Sequence, residues 1–241
     1  MSANALVTYR PEQFAEVLAW AQEIAPRVPR TMEMMLIVHR DEAGEVEIAV
    51  TAPVLVDDPT EARAALELLQ SCPALGAAKL NVPYVEVALA DLYAGVHASY
   101  PDDHRYAVDN MWTSAPAAEL IPSLQKIAAR LPGAPSHMLW MNWGPGSSPA
   151  PARGDMAYSV EDDTYIALYA VWEDPAEDAA NIAWATESMR AMEHLASGIQ
   201  LADENLGLRP ARFAGEEQMR RLDELRALRD PDGRFHEWMG R

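Results

Sequence analysis

The chain has 241 residues, of which 49% are hydrophobic, enough to bury the core of one large domain or two small ones. Its 37 acidic and 19 basic residues give a net charge of −18, which repels phosphate backbones and anionic lipids and argues against nucleic acid or a membrane as a partner. No stretch approaches the roughly 18 uninterrupted apolar residues of a membrane span, and the start MSANALVTYRP lacks the regions of a signal peptide. We therefore expect a cytoplasmic protein, and the single cysteine, Cys72, excludes an internal disulfide or a thiolate metal cluster.

The first predicted elements are a helix and a β-hairpin. Residues 11–24 place Phe14, Val17, Leu18, Ala21 and Ile24 on one helical face. Residues 31–39 and 45–56 then alternate apolar and polar side chains, which is the period of a strand. Asp41 to Gly44 supplies the turn residues between them, so the pair predicts an antiparallel hairpin.

A helix start with one pattern occurs twice. Asp58 can cap a helix, Pro59 suits its first position and Glu61 follows three residues after the cap; Asp174, Pro175 and Glu177 repeat this spacing. Each start follows a predicted strand, so the chain could contain two similar half-units, at about 1–100 and 101–200. The alternative is that Asp-Pro-x-Glu is simply a good helix start.

The remaining elements complete an α+β pattern. We predict helices around 85–94, up to about residue 130, from 175 to 198 and over 216–229, and strands over 104–113, 136–143 and 164–172. Strands joined by hairpins as well as helices favour a largely antiparallel sheet covered by helices. The chain is predicted as one domain over 1–241, with its C-terminal helix within 213–231.

The C-terminal third resembles a known family. The run YIALYAVWEDPAEDAANIAWA, followed by RFAGEEQMRRLDELRALRDPDGRF, is similar to the end of berberine bridge enzyme-like FAD-linked oxidases of the vanillyl-alcohol oxidase superfamily. Pro83-Tyr84 and the strand HMLWMNWG fit the same substrate domain less strongly. The resemblance implies an oxidoreductase that uses FAD, but the family's FAD-binding domain has no counterpart here. FAD would therefore be supplied by a partner chain.

The chain departs from the family in the segment after the long helix. Family members commonly carry Tyr-x-Asn there, with the tyrosine facing flavin and substrate; Gln200 and Ala202 stand at the matching positions. Phe213 and Ala214 likewise replace the closing Tyr-Gly. These changes put the family's acid–base chemistry in doubt.

Candidate site residues follow from the family's arrangement, in which one face of the substrate-domain sheet lies over the flavin. His137, Tyr165 and Tyr169 are candidates for acid–base work. The candidates for facing substrate or flavin are Asn110, Trp112, Trp140, Asn142 and Gln200. For each aromatic residue the alternative is core packing, and for His137 it is a surface position at a strand end. None of the six histidines has the spacing of a metal site, so no metal is expected.

Two functions are compatible with these features. The first is the substrate-binding or cap subunit of an FAD-linked oxidoreductase, acting with a separately encoded FAD-binding chain on an apolar or aromatic alcohol or amine. The second is a non-catalytic ligand-binding or interaction protein derived from such a domain, as a monomer or homodimer.

Overall fold

The computed structural model describes residues 1–142 and 160–235. Its strands are β1 (Ser2–Tyr9), β2 (Met35–Arg40), β3 (Val46–Thr51), β4 (Val54–Leu55), β5 (Leu80–Glu86), β6 (Arg105–Thr113), β7 (His137–Asn142) and β8 (Thr164–Trp172). Its α-helices are α1 (Phe14–Ile24), α2 (Pro59–Leu66), α3 (Leu89–Ala98), α4 (Ala117–Ala128), α5 (Asp178–Met192) and α6 (Glu216–Arg229). The predicted α+β class, an antiparallel sheet with helices, is confirmed.

All strand pairs are antiparallel and belong to one sheet. Its order is β4-β1-β3-β2-β7-β8-β6, and β5 also pairs with β1. Strands β3 and β4 pair with β1 in one register, Leu6 opposite Thr51 and Ser2 opposite Leu55, so β4 continues the line of β3. Pro53 lies between them, where a residue without an N–H interrupts the ladder.

The sheet is built from two units with the same topology. One unit runs β1-α1-β2-β3-α2 and the other β6-α4-β7-β8-α5, and in each the first strand pairs with the third strand of the unit, β1 with β3 and β6 with β8. Pairing of β2 with β7 joins the units at the centre of the sheet. The predicted caps lie at the start of the second helical segment of each unit. Asp58 caps α2 and accepts from the Thr60 N–H at 2.6 Å, and Asp174 accepts from the Ala176 N–H at 2.9 Å in the 3-10 turn Pro175–Glu177 that leads into α5.

The main hydrophobic core lies between the sheet and helices α1, α2, α4 and α5. It contains the alternate strand residues Val7, Leu36, Ile48, Trp140 and Leu168, together with the apolar faces of the helices. Helices α1 and α4, which occupy equivalent places in the two units, pack against each other. This helix-covered face carries most of the burial that stabilises the fold.

The structure differs from the prediction at two places in the first half of the chain. Residues 80–86 form strand β5 and the helix begins only at Leu89, instead of a helix around 85–94. Val82 and Val85 pair with Leu6 and Asn4 of β1, so tertiary pairing decides the conformation. Strand β1 itself had not been predicted, because its inward side chains include two alanines, Ala3 and Ala5, that give a weak apolar signal.

Helices α3 and α6 differ from the others, since neither has a buried residue. Leu225 and Leu228 of α6 are exposed. Among the described residues, no helix combines the length and the apolar character needed to cross a lipid bilayer.

Candidate active site

The face of the sheet opposite the helices, here called the open face, carries the candidate site. Alternate residues of the central strands point to it: Met35 and Ile37 from β2, and Leu139 and Met141 from β7. Continuing the β2–β7 register places His39 opposite His137 on the same face. The open face therefore has an apolar centre with imidazoles at one end.

A cleft of about 1820 Å³ separates the open face from helix α3. Leu92, Tyr93 and Val96 of α3 line it opposite the strands, and Asn4 and Thr51 add polar groups. Carboxylates of Glu33, Asp91, Glu161 and Asp163 also border it. An apolar cleft with a few polar groups is the usual form of a small-molecule site.

A phenol–imidazole cluster lies where the cleft meets the C-terminal unit. The Tyr100 hydroxyl is 3.1 Å from His137 Nε2, and His137 Nδ1 is 3.1 Å from the Pro135 carbonyl oxygen. The His137 ring stacks on Tyr169, with centroids 4.6 Å apart and an interplanar angle of 14°, and Tyr100 meets Tyr169 edge-on at 5.5 Å. Of this cluster, Tyr100 and His137 line the cleft.

Burial sets the charge states of this cluster. Desolvation lowers the pKa of His137, and the neighbouring His39 lowers it further, so the imidazole is neutral at pH 7. Desolvation raises the pKa of Tyr100, and the negative charge of Asp203 adds to this effect. Desolvation also raises the pKa values of Tyr165 and Tyr169; the next cause is the neighbouring Tyr169 for Tyr165 and the Asp203 charge for Tyr169. The phenols therefore remain protonated.

Behind this cluster, the open face of the C-terminal unit is covered. Trp112 and Tyr165 pair across β6 and β8, and they are only 3% and 4% exposed. The Tyr165 hydroxyl donates to Asp203 Oδ2 at 2.6 Å, and Tyr169 also interacts with this carboxylate. Asp203 lies in the segment that follows α5. Its contacts with Tyr165 and Tyr169 therefore require this segment to be held against the sheet.

Asn110 holds that segment by its backbone. Its Nδ2 donates to the carbonyl oxygens of Gln200 and Asp203 at 3.0 and 2.6 Å, and its Oδ1 accepts from the Gln200 N–H at 2.7 Å. Trp112 and Gly198 extend the attachment through a 2.7 Å backbone hydrogen bond. A Cβ at Gly198 would lie 2.6 Å from Val160 Cβ, so this close approach requires glycine.

A buried ion pair fixes the far end of the segment. Arg209 Nε donates to both carboxylate oxygens of Asp109, at 3.0 and 2.9 Å, and its Nη2 donates to the Asn110 carbonyl at 2.7 Å. Asn205 adds hydrogen bonds to Asp109 at 3.1 Å and to Thr186 at 2.9 Å. Arg209 and Asp109 are 4% and 1% exposed. The segment 197–212 thus wraps the edge strand β6.

The structure brings most of the predicted site residues together. His137, Tyr169, Tyr165, Trp112 and Asn110 share the open face, with the Gln200 backbone lying against Asn110. His137 is 7% exposed, so the alternative of a surface histidine at a strand end is wrong.

Trp140 is not with them. It pairs with Ile166, whose position alternates with those of Tyr165 and Ala167, and it is 1% exposed within the main core, so its side chain lies on the helix-covered face. The expectation that it shares the face of the other candidates is corrected, because strand period alone does not say which alternate set faces the helices. Asn142, the last residue of β7, borders the cleft, and its amide donates to Thr164 Oγ1 at 3.1 Å.

Tyr100 and Asp203 are the residues that sequence reasoning missed. Tyr100 follows α3 without belonging to a periodic pattern, and Asp203 lies in a segment without regular strand or α-helical period. Both reach the cluster through contacts over 37 or 38 positions in sequence. Within the described ranges, no three histidine, cysteine or carboxylate side chains come together as a metal site would require.

Comparison with known proteins supports the resemblance. No protein-family model matches the chain. FAD-linked oxidoreductase penO of Penicillium crustosum is 24% identical over 220 residues, and ptmO of Penicillium ochrochloron is 25% identical over 220 residues; each match covers 91% of this chain and 48% of the relative. FAD-linked oxidoreductase nodO of Hypoxylon pulicicidum is 32% identical over 81 residues, 34% of this chain and 18% of that protein. The chain thus spans about half the length, or less, of the curated relatives it matches.

Solved structures share the fold along the chain. CrmK, a flavoenzyme involved in shunt product recycling in caerulomycin biosynthesis, matches with a TM-score of 0.74 and 14% identity, over 99% of this chain and 55% of its own. Berberine bridge enzyme matches with a TM-score of 0.71 and 13% identity, over 99% and 54%. A berberine bridge enzyme-like protein of Arabidopsis thaliana gives 0.64 and 15%, over 86% and 46%. The sequence relatives are FAD-linked oxidoreductases, and the chain has the fold of the berberine bridge enzyme-like proteins over the part it covers.

Proposed function

We propose that this chain is the substrate-binding part of an FAD-linked oxidoreductase and works with an FAD-binding polypeptide outside these 241 residues. The substrate we propose is an apolar or aromatic alcohol or amine. The observation that carries the proposal is the open face, where an apolar cleft ends on a neutral imidazole and a protonated phenol. Support comes from the fold, which is that of flavoenzymes, and from the relatives, which are FAD-linked.

The described residues fit one part of FAD and not the other. Ile37, Leu139 and Met141 form an apolar surface against which a flat ring can pack, with His137 at its edge. A diphosphate needs backbone N–H groups or free cations. Two arginines line this cleft, Arg30 and Arg40, and Arg40 already donates to the carbonyl oxygens of Leu131, Pro132 and Gly44. Four carboxylates border the same cleft, so its described lining carries a net negative charge that disfavours a diphosphate. We therefore assign the flavin ring side to this chain and the nucleotide to the partner.

The residues of this chain would position the substrate and handle its proton. The aliphatic and thioether side chains of the cleft exclude water from the reacting carbon, which favours apolar substrates. The imidazole and phenols supply hydrogen-bonding groups for the hydroxyl or amine. FAD, when bound, accepts hydride from the substrate carbon.

Purification of a tagged chain from its native host tests this proposal. We expect a yellow complex with a flavin absorption spectrum, in which a second polypeptide carries the FAD-binding sequence. The proposal would be contradicted if the chain purified from the host is colourless and migrates alone, and if it still does so after co-expression with an FAD-binding protein encoded by a neighbouring gene. Met35→Glu, which places a charge on the floor of the cleft, should lower substrate affinity in the yellow complex, whereas Glu216→Gln on exposed helix α6 should not.

A ligand-binding protein without turnover is the second candidate. One observation favours it: Gln200 and Ala202 stand where the resemblance gives tyrosine and asparagine. The Asn110 side chain contacts the backbone of Gln200. This candidate predicts a monomer or homodimer that binds an apolar fluorescent probe in the cleft and gives no flavin spectrum. Loss of probe binding in Met35→Glu would place the probe on the open face.

A further inference from the structure

Tyr100 is the tyrosine of the phenol–imidazole cluster that borders the cleft. It follows helix α3 and is half-buried, and both Tyr100 and His137 line the cleft. Tyr165 and Tyr169 do not border the cleft, because both side chains are buried. A ligand in the cleft can therefore contact Tyr100 and His137.

The hydrogen bonds of His137 define its tautomer. Its Nδ1 lies 3.1 Å from the Pro135 carbonyl oxygen, which can only accept, so Nδ1 carries the proton. In the neutral ring Nε2 then has no proton and accepts from the Tyr100 hydroxyl at 3.1 Å. A phenolic oxygen has two lone pairs, so beside its hydrogen bond with Tyr169 the Tyr100 oxygen keeps a lone pair that can accept a hydrogen bond from a ligand.

We propose that Tyr100 and His137 act as the proton-accepting pair of the oxidation, an inference that rests on the proposed function. The substrate O–H or N–H gives its proton to the Tyr100 oxygen while the Tyr100 proton moves to His137 Nε2. FAD, when bound, would take the hydride that leaves as the C–H bond breaks and the C=O or C=N bond forms. The substrate would thus lose one proton and one hydride, and His137 would become an imidazolium.

The surroundings of the pair suit a relay. The groups that face His137 are the Tyr100 hydroxyl, the stacked Tyr169 ring, the Pro135 carbonyl and, across the strands, His39. With the pKa of His137 lowered, the ring is free to accept a proton at neutral pH, and with the pKa of Tyr100 raised, the phenol passes a proton on without resting as phenolate.

This pair would supply acid–base chemistry from a new position. The resemblance places a tyrosine where Gln200 stands, after the long helix, whereas Tyr100 follows α3 and works with a histidine at the start of β7. The two positions approach the open face from different elements, so loss of the first does not remove the second.

Nitrogen NMR of the isotopically labelled chain without flavin tests the pair directly. We expect His137 as the Nδ1-protonated tautomer, with an Nε2 signal shifted by the hydrogen bond and moved toward that of a free imidazole nitrogen in Tyr100→Phe. Tyr84→Phe is the matched control, because the Tyr84 hydroxyl donates to the Glu86 carboxylate on β5 at 3.1 Å and lies outside the cluster. An Nε2-protonated His137, or a signal that is unchanged in Tyr100→Phe, would overturn the proposal whether or not a flavin complex exists.

Kinetics of the flavin-containing complex provide the second readout. Tyr100→Phe keeps the ring that packs on His137 and Tyr169, so the fold is retained, and kcat should fall by about 10²–10⁴-fold with a smaller change in KM. Activity should be lost as pH falls through the pKa of His137, and His137→Gln should remove that inflection. Tyr100→Phe with undiminished kcat would overturn the proton pair while leaving the proposed oxidoreductase function standing.

Discussion

The two units of the sheet have the same topology and the same helix caps, yet their open faces differ. In the C-terminal unit, the segment 197–212 lies over the strands and seals Trp112, Tyr165 and Tyr169. In the N-terminal unit, within the described part of the chain, helix α3 stands over the strands across the cleft, and it buries none of its residues. One open face is thus a second small core, and the other is the floor of a cleft.

This difference separates what folds the chain from what can bind a ligand. The hydrophobic core on the helix-covered face is continuous across both units, so its packing does not depend on the residues of the cleft. The sealed face depends instead on polar anchors, Asp109 with Arg209 and Asn110 with the backbone of residues 200 and 203. Mutations should therefore affect stability most at these anchors and least at α3.

The largest effect should come from breaking the buried anchor. Arg209→Met leaves the Asp109 carboxylate buried without its partner, and we expect a loss of about 3–5 kcal/mol in the free energy of unfolding. Denaturant unfolding measures it. The double variant Asp109→Leu, Arg209→Met should recover much of the loss, because no charge then remains buried.

An exposed ion pair is the matched control for that experiment. Arg220 pairs with Glu217 on α6, where the side chains are 58% and 70% exposed. Arg220→Met should change the free energy of unfolding by less than about 1 kcal/mol. Equal losses in Arg209→Met and Arg220→Met would refute the role given to the buried anchor.

Alkaline pH should destabilise the sealed face next. Because burial raises the pKa of Tyr165 and Tyr169 above the unfolded value of 10.0, the unfolded state releases their protons first as pH rises. Their contribution is fully present below pH 10 and is lost above it, by about 1.4 kcal/mol per tyrosine for each pH unit. The free energies of unfolding of the wild type and of the double variant Tyr165→Phe, Tyr169→Phe should diverge as pH rises from about 9 to about 11. Parallel curves would show that these phenols ionise freely in the folded protein.

Asn110 should have an intermediate effect confined to one segment. Asn110→Ala removes three hydrogen bonds to the backbone of residues 200 and 203, at an expected cost of about 1–3 kcal/mol. Hydrogen exchange should accelerate over residues 199–212 and stay slow in β2 and β3. Asn81→Ala, at an exposed residue whose amide pairs with Gln70, is the control and should leave exchange in this segment unchanged.

The smallest effect should be in α3. Val96 is 59% exposed, so Val96→Ser should change the free energy of unfolding by no more than about 0.5 kcal/mol. Leu124→Ala in α4, at a residue only 1% exposed, should cost about 2–5 kcal/mol by the same denaturant measurement. A large loss in Val96→Ser would mean that α3 belongs to the core.

The sequence predicted the elements whose signals are local. Strand β8 and helix α6 begin and end at the predicted residues, and both Asp-Pro starts carry the predicted side-chain cap. Strand β5 was missed because its conformation depends on pairing with β1, 72 or more positions away by the register of Thr8 with Leu80.

The site was predictable only in part, for a similar reason. Alternation along β6 and β8 grouped Asn110 with Trp112 and Tyr165 with Tyr169, but it could not orient β7, so Trp140 was assigned to the wrong face. Asp203 and Tyr100 join the cluster from segments without periodicity, and that juxtaposition exists only in the folded chain.

Hydrogen exchange of the chain, alone and in its flavin-containing complex, tests most directly whether the N-terminal open face is the binding surface. We predict that complex formation slows exchange in α3 and in the segment around Tyr100, which border the cleft, and leaves α1 and α4 on the helix-covered face unchanged. Protection confined to the helix-covered face, with α3 exchanging as fast as in the free chain, would contradict the account.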